Sequence, residues 1–141
     1  TLDELLKQSE GYPVEFVCGP SDYQLHELYH RATFLINVRG IDTGPDLSFT
    51  QKEALGLVTI EAVSHGCIPI VYDVGGHIEL VPIPDLQVSD TIQLTNKILE
   101  MATLTGGEYL IALHYRLDKI SSQYTNEQFK KEFEQIVCTL K

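Results

Sequence analysis

The chain has 141 residues, enough for one compact domain with a single core, and 43% of them are hydrophobic, which argues against a disordered protein. Its formal net charge of -10 makes nucleic acid and anionic membranes poor candidates for the main partner, because an acidic surface repels phosphates. Three widely spaced cysteines argue against a disulfide framework and against a cysteine zinc site. We see neither a signal peptide nor an apolar run of membrane-spanning length, and we expect a cytoplasmic protein.

Strand and helix patterns alternate along the first two thirds of the chain, and helical patterns follow. The elements predicted before the middle are a helix over residues 2–10, a strand over 14–18, a helix over 22–32, a strand over 34–38, a loop over 39–52 and a helix over 55–65. The later ones are a strand over 68–72, a helix over 77–81, a short strand over 86–88 and helices over 90–104, 108–123 and from Thr125 onward. This order predicts a single α/β domain over residues 1–141, with a parallel, Rossmann-like sheet, flanking helices on both faces and a helical C-terminus.

One candidate site is the string His26-Glu27-Leu28-Tyr29-His30, which matches the H-E-x-x-H zinc motif. On a helix both imidazoles would share a face, and Glu27 could act as general base. A catalytic zinc needs a third protein ligand, however, and no other histidine extends the motif. We therefore interpret this segment as a surface helix with two solvated histidines.

The second candidate site is the start of the helix near Gly56. Ligands of parallel sheets bind where strands end and loops lead into helices. The N–H groups of Gly56, Leu57 and Val58 would lack intrahelical partners and would point outward with the positive end of the helix dipole, which suits a diphosphate. Gly56 also has no side chain that would block close approach of the ligand.

Two glutamates accompany this helix start. Glu61 is about one turn inside the helix, where it could accept hydrogen bonds from the vicinal hydroxyls of a ribose. Glu53 lies eight residues earlier, in the loop, and could fold back to another part of the same ligand. The turn Gly75-Gly76 should open on the same rim of the sheet. On spacing alone, a capped helix with one dipole-stabilising and one solvated glutamate explains the pair equally well.

The whole string EALGLVTIEAVSHGCIPIVYDVGGHIELV resembles the E-x7-E signature of the group 1 glycosyltransferases, which are retaining enzymes with the GT-B fold. The positions that match are Glu53, Gly56-Leu57, Glu61-Ala62, Gly66, Pro69-Ile70-Val71 and Gly75-Gly76 with Glu79. A weaker likeness extends upstream through VEFVCG and LHELYHRATFLINV, so the resemblance covers most of residues 14–90.

The resemblance implies that the chain is an incomplete C-terminal, donor-binding domain of the GT-B fold. It implies that Glu61 binds the ribose of a nucleotide sugar and that Glu53, our candidate catalytic residue, contacts a hydroxyl of the donor sugar. The amides at the helix start would hold the phosphates, and Gly75-Gly76 would shape the pocket. No metal or other cofactor is implied, because amides and basic side chains stabilise the leaving diphosphate. The arginine and lysine that clamp the diphosphate in that family have no counterpart here.

We therefore expect a hexosyltransferase-like domain that binds a nucleotide-sugar donor and is nearly inactive without a missing N-terminal acceptor-binding domain. The family's first strands would lie between residues 14–18 and 34–38, so we also expect a rearranged sheet, or homo-oligomers formed through exposed strand edges. The alternatives are a zinc hydrolase that uses His26, Glu27 and His30, and a non-catalytic nucleotide-sugar-binding module.

Overall fold

The structure is a computed structural model that describes residues 1–41, 56–103 and 107–139. These residues form an α/β arrangement in which three short strands are surrounded by helices. The helices are α1 (Leu2–Gln8), α2 (Asp22–Arg31), α3 (Leu57–Ser64), α4 (Gly76–Leu80), α5 (Thr91–Thr103), α6 (Glu108–Ser121) and α7 (Asn126–Thr139). The strands are β1 (Phe34–Asn37), β2 (Ile68–Tyr72) and β3 (Gln87–Val88), and 3₁₀ turns span Pro84–Leu86 and Ser122–Tyr124.

The three strands form one parallel sheet in the order β1-β2-β3. Phe34 lies opposite Ile68 at the start of the β1–β2 ladder, and Tyr72 lies opposite Val88 in β3. All five residues of the central strand β2 are buried, as expected for a parallel strand that is covered on both faces. The predicted α/β class with a parallel sheet and flanking helices is confirmed at this level.

Local sequence signals set the bounds of the helices that carry the candidate sites. α2 begins with a capping box in which Ser21 accepts from the N–H of Gln24 and Gln24 accepts from the N–H of Ser21. α3 ends two residues before Gly66, whose positive φ of 87° lets the chain turn back into β2. The cap at the start of α2 and the glycine after the end of α3 explain why the predicted helices over 22–32 and 55–65 agree closely with the structure.

The core has a larger and a smaller part. The larger cluster fills the space between the sheet and α3, α4, α5 and α6, and its buried members are Val63, Ile68, Val71, Leu80, Val81, Ile83, Leu86, Met101, Leu113 and Leu117. The smaller cluster joins α2 to α3 and the start of β2, and its buried members are Tyr29, Ala62 and Cys67. The smaller cluster fixes α2 beside α3.

The strand predicted over residues 14–18 does not form. This segment has no regular structure, and the side chains of Val14 and Val17 are 53% and 40% exposed. A strand forms only when a neighbour satisfies its backbone groups, and among the described residues β1 pairs with β2 alone. The prediction was wrong because an apolar, β-branched composition does not supply a pairing partner.

The C-terminal helix forms as predicted, but its apolar stripe is not part of the core. Phe129, Phe133 and Ile136 on α7 are 68%, 57% and 59% exposed. The rings of the two phenylalanines stack on each other with their centroids 6.1 Å apart. Across the described part of the chain, each helix is too short or too polar to cross a bilayer.

Candidate functional site

The carboxyl end of β1 is tied to the first turn of α3. Asn37, the last residue of β1, donates a hydrogen bond from its side-chain Nδ2 to Oγ1 of Thr59 over 3.2 Å. Thr59 is fully buried and Asn37 is half-buried, so this bond is partly shielded from competing water. It holds the amino end of α3 at the carboxyl edge of the sheet, where parallel α/β proteins bind ligands.

The N-cap of α3 is Gly56, which adopts the left-handed conformation with φ 73° and ψ 47°. Glycine is favoured there because any Cβ would be strained. The Gly56 carbonyl accepts the N–H of Thr59 over 2.8 Å, so the first helical turn is closed. Leu57 and Val58 in the first turn are 62% and 49% exposed, whereas Gly56 itself is buried.

The Gly75-Gly76 turn follows β2 and leads directly into α4. Gly75 has φ 69° and ψ -142°, a combination that only glycine adopts readily. Because β1 and β2 are adjacent and parallel, this turn and the start of α3 follow neighbouring strand ends. We call the residues Gly56–Val58 and Gly75–Gly76 the sheet edge.

Glu53, the candidate catalytic residue, lies outside the described residues. Glu61 lies on α3 with an exposed side chain, and its Oε2 accepts a hydrogen bond of 3.4 Å from the Tyr29 hydroxyl. The side chain of Glu61 lines a cleft of about 260 Å³, which we call the α2–α3 cleft. The described residues that line this cleft are Asp22, Leu25, His26, Tyr29, Glu61 and His65, and the sheet edge is not among them.

Tyr29 and Cys67 hold the two walls of the α2–α3 cleft together. The Cys67 thiol donates to the backbone carbonyls of Tyr29 and Ala32 over 3.2 and 3.5 Å. Burial raises the pKa of the Tyr29 hydroxyl, and the neighbouring Glu61 carboxylate raises it further. Burial also raises the pKa of the Cys67 thiol. Both groups therefore remain protonated donors at neutral pH, and the packing of Tyr29 with Ala62 and Cys67 keeps α2 in place against α3.

Three histidines meet at the α2–α3 cleft, and two of them, His26 and His65, line it. His26 and His30 lie one turn apart on α2 with ring centroids 5.9 Å apart, and the ring of His65 packs edge-on against both, at 4.2 and 4.9 Å. His65 Nε2 lies 2.8 Å from His26 Nδ1. The interpretation of His26 and His30 as merely solvated missed this third ring. The available signal was that α2 and α3 precede adjacent parallel strands, which places the two helices side by side.

Glu27 is part of a different surface. It lines a cleft of about 210 Å³ whose described walls include Val17, Gln24 and Arg31. The proposed base of the H-E-x-x-H motif thus lies away from the cleft that His26 and His65 line. The motif places its histidines and its glutamate on different sides of α2 here.

Comparison with known proteins does not assign the chain to a family. No protein-family model matches its sequence, and no curated protein matches it. Its function must therefore be argued from its residues and its fold.

Proposed function

We propose that this chain binds a nucleotide-diphosphate sugar and acts as the donor-binding domain of a retaining glycosyltransferase with the GT-B fold. The observation that carries the proposal is the hydrogen bond between Asn37 and Thr59, which anchors the start of α3 at the carboxyl end of β1. A helix start with two exposed residues, Leu57 and Val58, and a Gly-Gly turn that follows the neighbouring parallel strand together suit phosphate binding.

In this proposal the diphosphate is held by the backbone rather than by side chains. The amides of Leu57 and Val58, in the first turn of α3, donate to its oxygens, aided by the positive end of the helix dipole. Gly75, which is exposed, lets the ligand approach the backbone closely because it lacks a side chain. Such a site operates even in a chain of net charge -10, because backbone donors do not enter the charge count.

Glu61 binds the ribose in this proposal. Its carboxylate is solvent-exposed, and its hydrogen bond to Tyr29 is long at 3.4 Å, so a ribose hydroxyl can replace the tyrosine as donor at little cost. Glu53 contacts a hydroxyl of the transferred sugar, as the E-x7-E resemblance implies. As the glycosidic bond to the diphosphate breaks, the amides at the sheet edge stabilise the charge that develops on the leaving group.

The same binding geometry serves the alternative of a non-catalytic nucleotide-sugar-binding module, which differs only in lacking sugar transfer. The zinc-hydrolase alternative is not favoured, because Glu27 lines a different cleft from His26.

Calorimetric titration of the chain with uridine, guanosine and adenosine diphosphates and their sugars tests the proposal. We expect at least one of these ligands to bind and to raise the melting temperature, because it binds only the folded state. Glu61→Ala should weaken binding at least tenfold, since a hydrogen bond to a charged group is worth roughly 1.5–3 kcal/mol.

Glu134→Ala is the matched control, because Glu134 is an exposed glutamate on α7 and should leave the affinity unchanged. Absence of binding by every diphosphate, or equal affinities for the two variants, would contradict the proposal.

A further inference from the structure

Three imidazoles, two from α2 and one from the end of α3, come together beside the α2–α3 cleft. One ring nitrogen from each of His26, His30 and His65 lies within 4.8 Å of the others. Two of these side chains are exposed and the third is half-buried, so an ion can reach them from solvent. We propose that His26, His30 and His65 bind a zinc ion. This inference goes beyond the proposed glycosyl transfer, for which we expected no metal.

The hydrogen bonding of His65 prepares it as a ligand. Its Nδ1 lies 2.8 Å from the backbone carbonyl of Glu61, which can only accept, so Nδ1 carries the proton. The lone pair of a neutral imidazole then resides on Nε2, the nitrogen that faces His26. Zinc-binding histidines commonly donate their second ring N–H to a carbonyl in this way, which fixes both the tautomer and the ring orientation.

The spacing is close to that of a zinc centre. Zinc–nitrogen bonds of roughly 2.0–2.1 Å in a tetrahedron place ligand nitrogens about 3.3 Å apart. To bind zinc, the 2.8 Å distance between His65 Nε2 and His26 Nδ1 must increase by about half an ångström. The widest distance between the ligand nitrogens is at most 4.8 Å and must decrease by up to about 1.5 Å. Rotation of the exposed rings of His26 and His30 supplies such movements without displacing the backbone.

The surroundings favour a cation and select its type. The carboxyl groups of Glu61 and Asp22 line the same cleft and make its potential more negative. Neutral imidazoles suit zinc, whereas magnesium and calcium prefer oxygen ligands. Three protein nitrogens leave a fourth coordination position for water or another small ligand.

Packing has already brought the two helices together. Tyr29, which lies between His26 and His30 in the sequence of α2, is buried and packs with Ala62 and Cys67 across the interface. The bonds from the Cys67 thiol to the carbonyls of Tyr29 and Ala32 hold the end of α2 in place. Zinc therefore binds a largely preformed site and does not have to fold the chain around itself.

The test is calorimetric titration of the full, chelator-treated chain with zinc chloride, in the absence of nucleotide. We expect one zinc per chain with a dissociation constant of about 1 μM or lower. His26→Ala and His30→Ala should each weaken binding by more than about 100-fold, since loss of an outer-shell partner alone costs 10–100-fold. Both side chains are exposed, so these variants should still fold.

His114→Ala is the matched control, because His114 is an exposed histidine on α6, away from the cleft. Zinc-edge X-ray absorption of the loaded chain should show three imidazole nitrogens at roughly 2.0–2.1 Å. No zinc binding, or an affinity in His26→Ala and His30→Ala equal to that of His114→Ala, would overturn the inference. The result is independent of nucleotide binding, so either proposal can fail without the other.

Discussion

The sheet edge and the α2–α3 cleft are neighbouring regions that offer a ligand different chemistry. The sheet edge presents backbone amides and glycines, with almost no side chain that could bind. The cleft presents imidazoles, a tyrosine hydroxyl and carboxyl groups. Backbone donors suit phosphate oxygens, whereas imidazoles suit a transition metal.

The two regions also differ in how their residues are distributed along the chain. The sheet edge consists of two short contiguous segments that each follow a strand. The cleft depends on His26 and His65, which are 39 residues apart in sequence. Glu61 connects the regions, because it is on the helix that starts at the sheet edge while its side chain lines the cleft. The comparison shows that a contiguous motif can point to a candidate backbone site without indicating a candidate side-chain site on the same helix.

The largest expected effect tests whether both regions depend on β2. Ile68, the first residue of β2, is 1% exposed and belongs to the larger core cluster. Ile68→Ala should lower the free energy of unfolding by about 2–5 kcal/mol, because it removes buried methyl groups and leaves a cavity. Urea denaturation measures this change.

Ile111→Ala serves as the control for this measurement, since Ile111 is 72% exposed on α6 and its truncation should change stability by less than about 0.5 kcal/mol. If the two variants were equally stable, β2 would not be the structural centre that both regions share.

A substitution of intermediate effect should distinguish diphosphate binding at the sheet edge from zinc binding at the cleft. Gly56→Ala forces a Cβ into the left-handed conformation and should cost about 1–2 kcal/mol of stability. We also expect it to weaken diphosphate binding while leaving zinc binding unchanged, because Gly56 does not line the cleft. Calorimetric titration with each ligand provides both readouts.

Gly107→Ala is the matched control for the backbone effect. Gly107 has an extended conformation, with φ -160°, and open space around its Cβ position, so alanine is tolerated there. A loss of zinc affinity in Gly56→Ala would show that the two regions are not separable. Equal stability of the two glycine variants would show that the left-handed conformation of Gly56 does not require glycine.

The smallest effect concerns the contact between the two walls of the cleft. Tyr29→Phe removes only the hydroxyl that donates to Glu61 over 3.4 Å. Because the bond is long and Glu61 is exposed to water, we expect a loss of less than about 1 kcal/mol and no change in zinc affinity. Thermal denaturation with and without zinc measures both, and Tyr12→Phe, at a tyrosine 70% exposed, is the control. A loss of several kcal/mol would mean that this bond holds the helices together.

Periodicity predicted the elements whose structure depends mainly on their own residues. The predicted strand at Ile68–Tyr72 has the observed bounds, and the predicted strand over 34–38 is one residue longer than β1. The strand over 14–18 failed because pairing is not encoded within a single segment. Glu53, which the E-x7-E resemblance singles out, lies outside the described residues, so its role stays a prediction.

The sequence by itself determined the alternation of strands and helices and the glycine positions at the sheet edge. These features are local, because side-chain periodicity and backbone conformation are decided within a few residues. Only the tertiary structure decided that Glu61 meets Tyr29 and that His65 completes a cluster with His26 and His30. Those contacts arise because helices that precede adjacent parallel strands lie side by side. Which residues meet depends on the packing of the two helices, and no single segment specifies that packing.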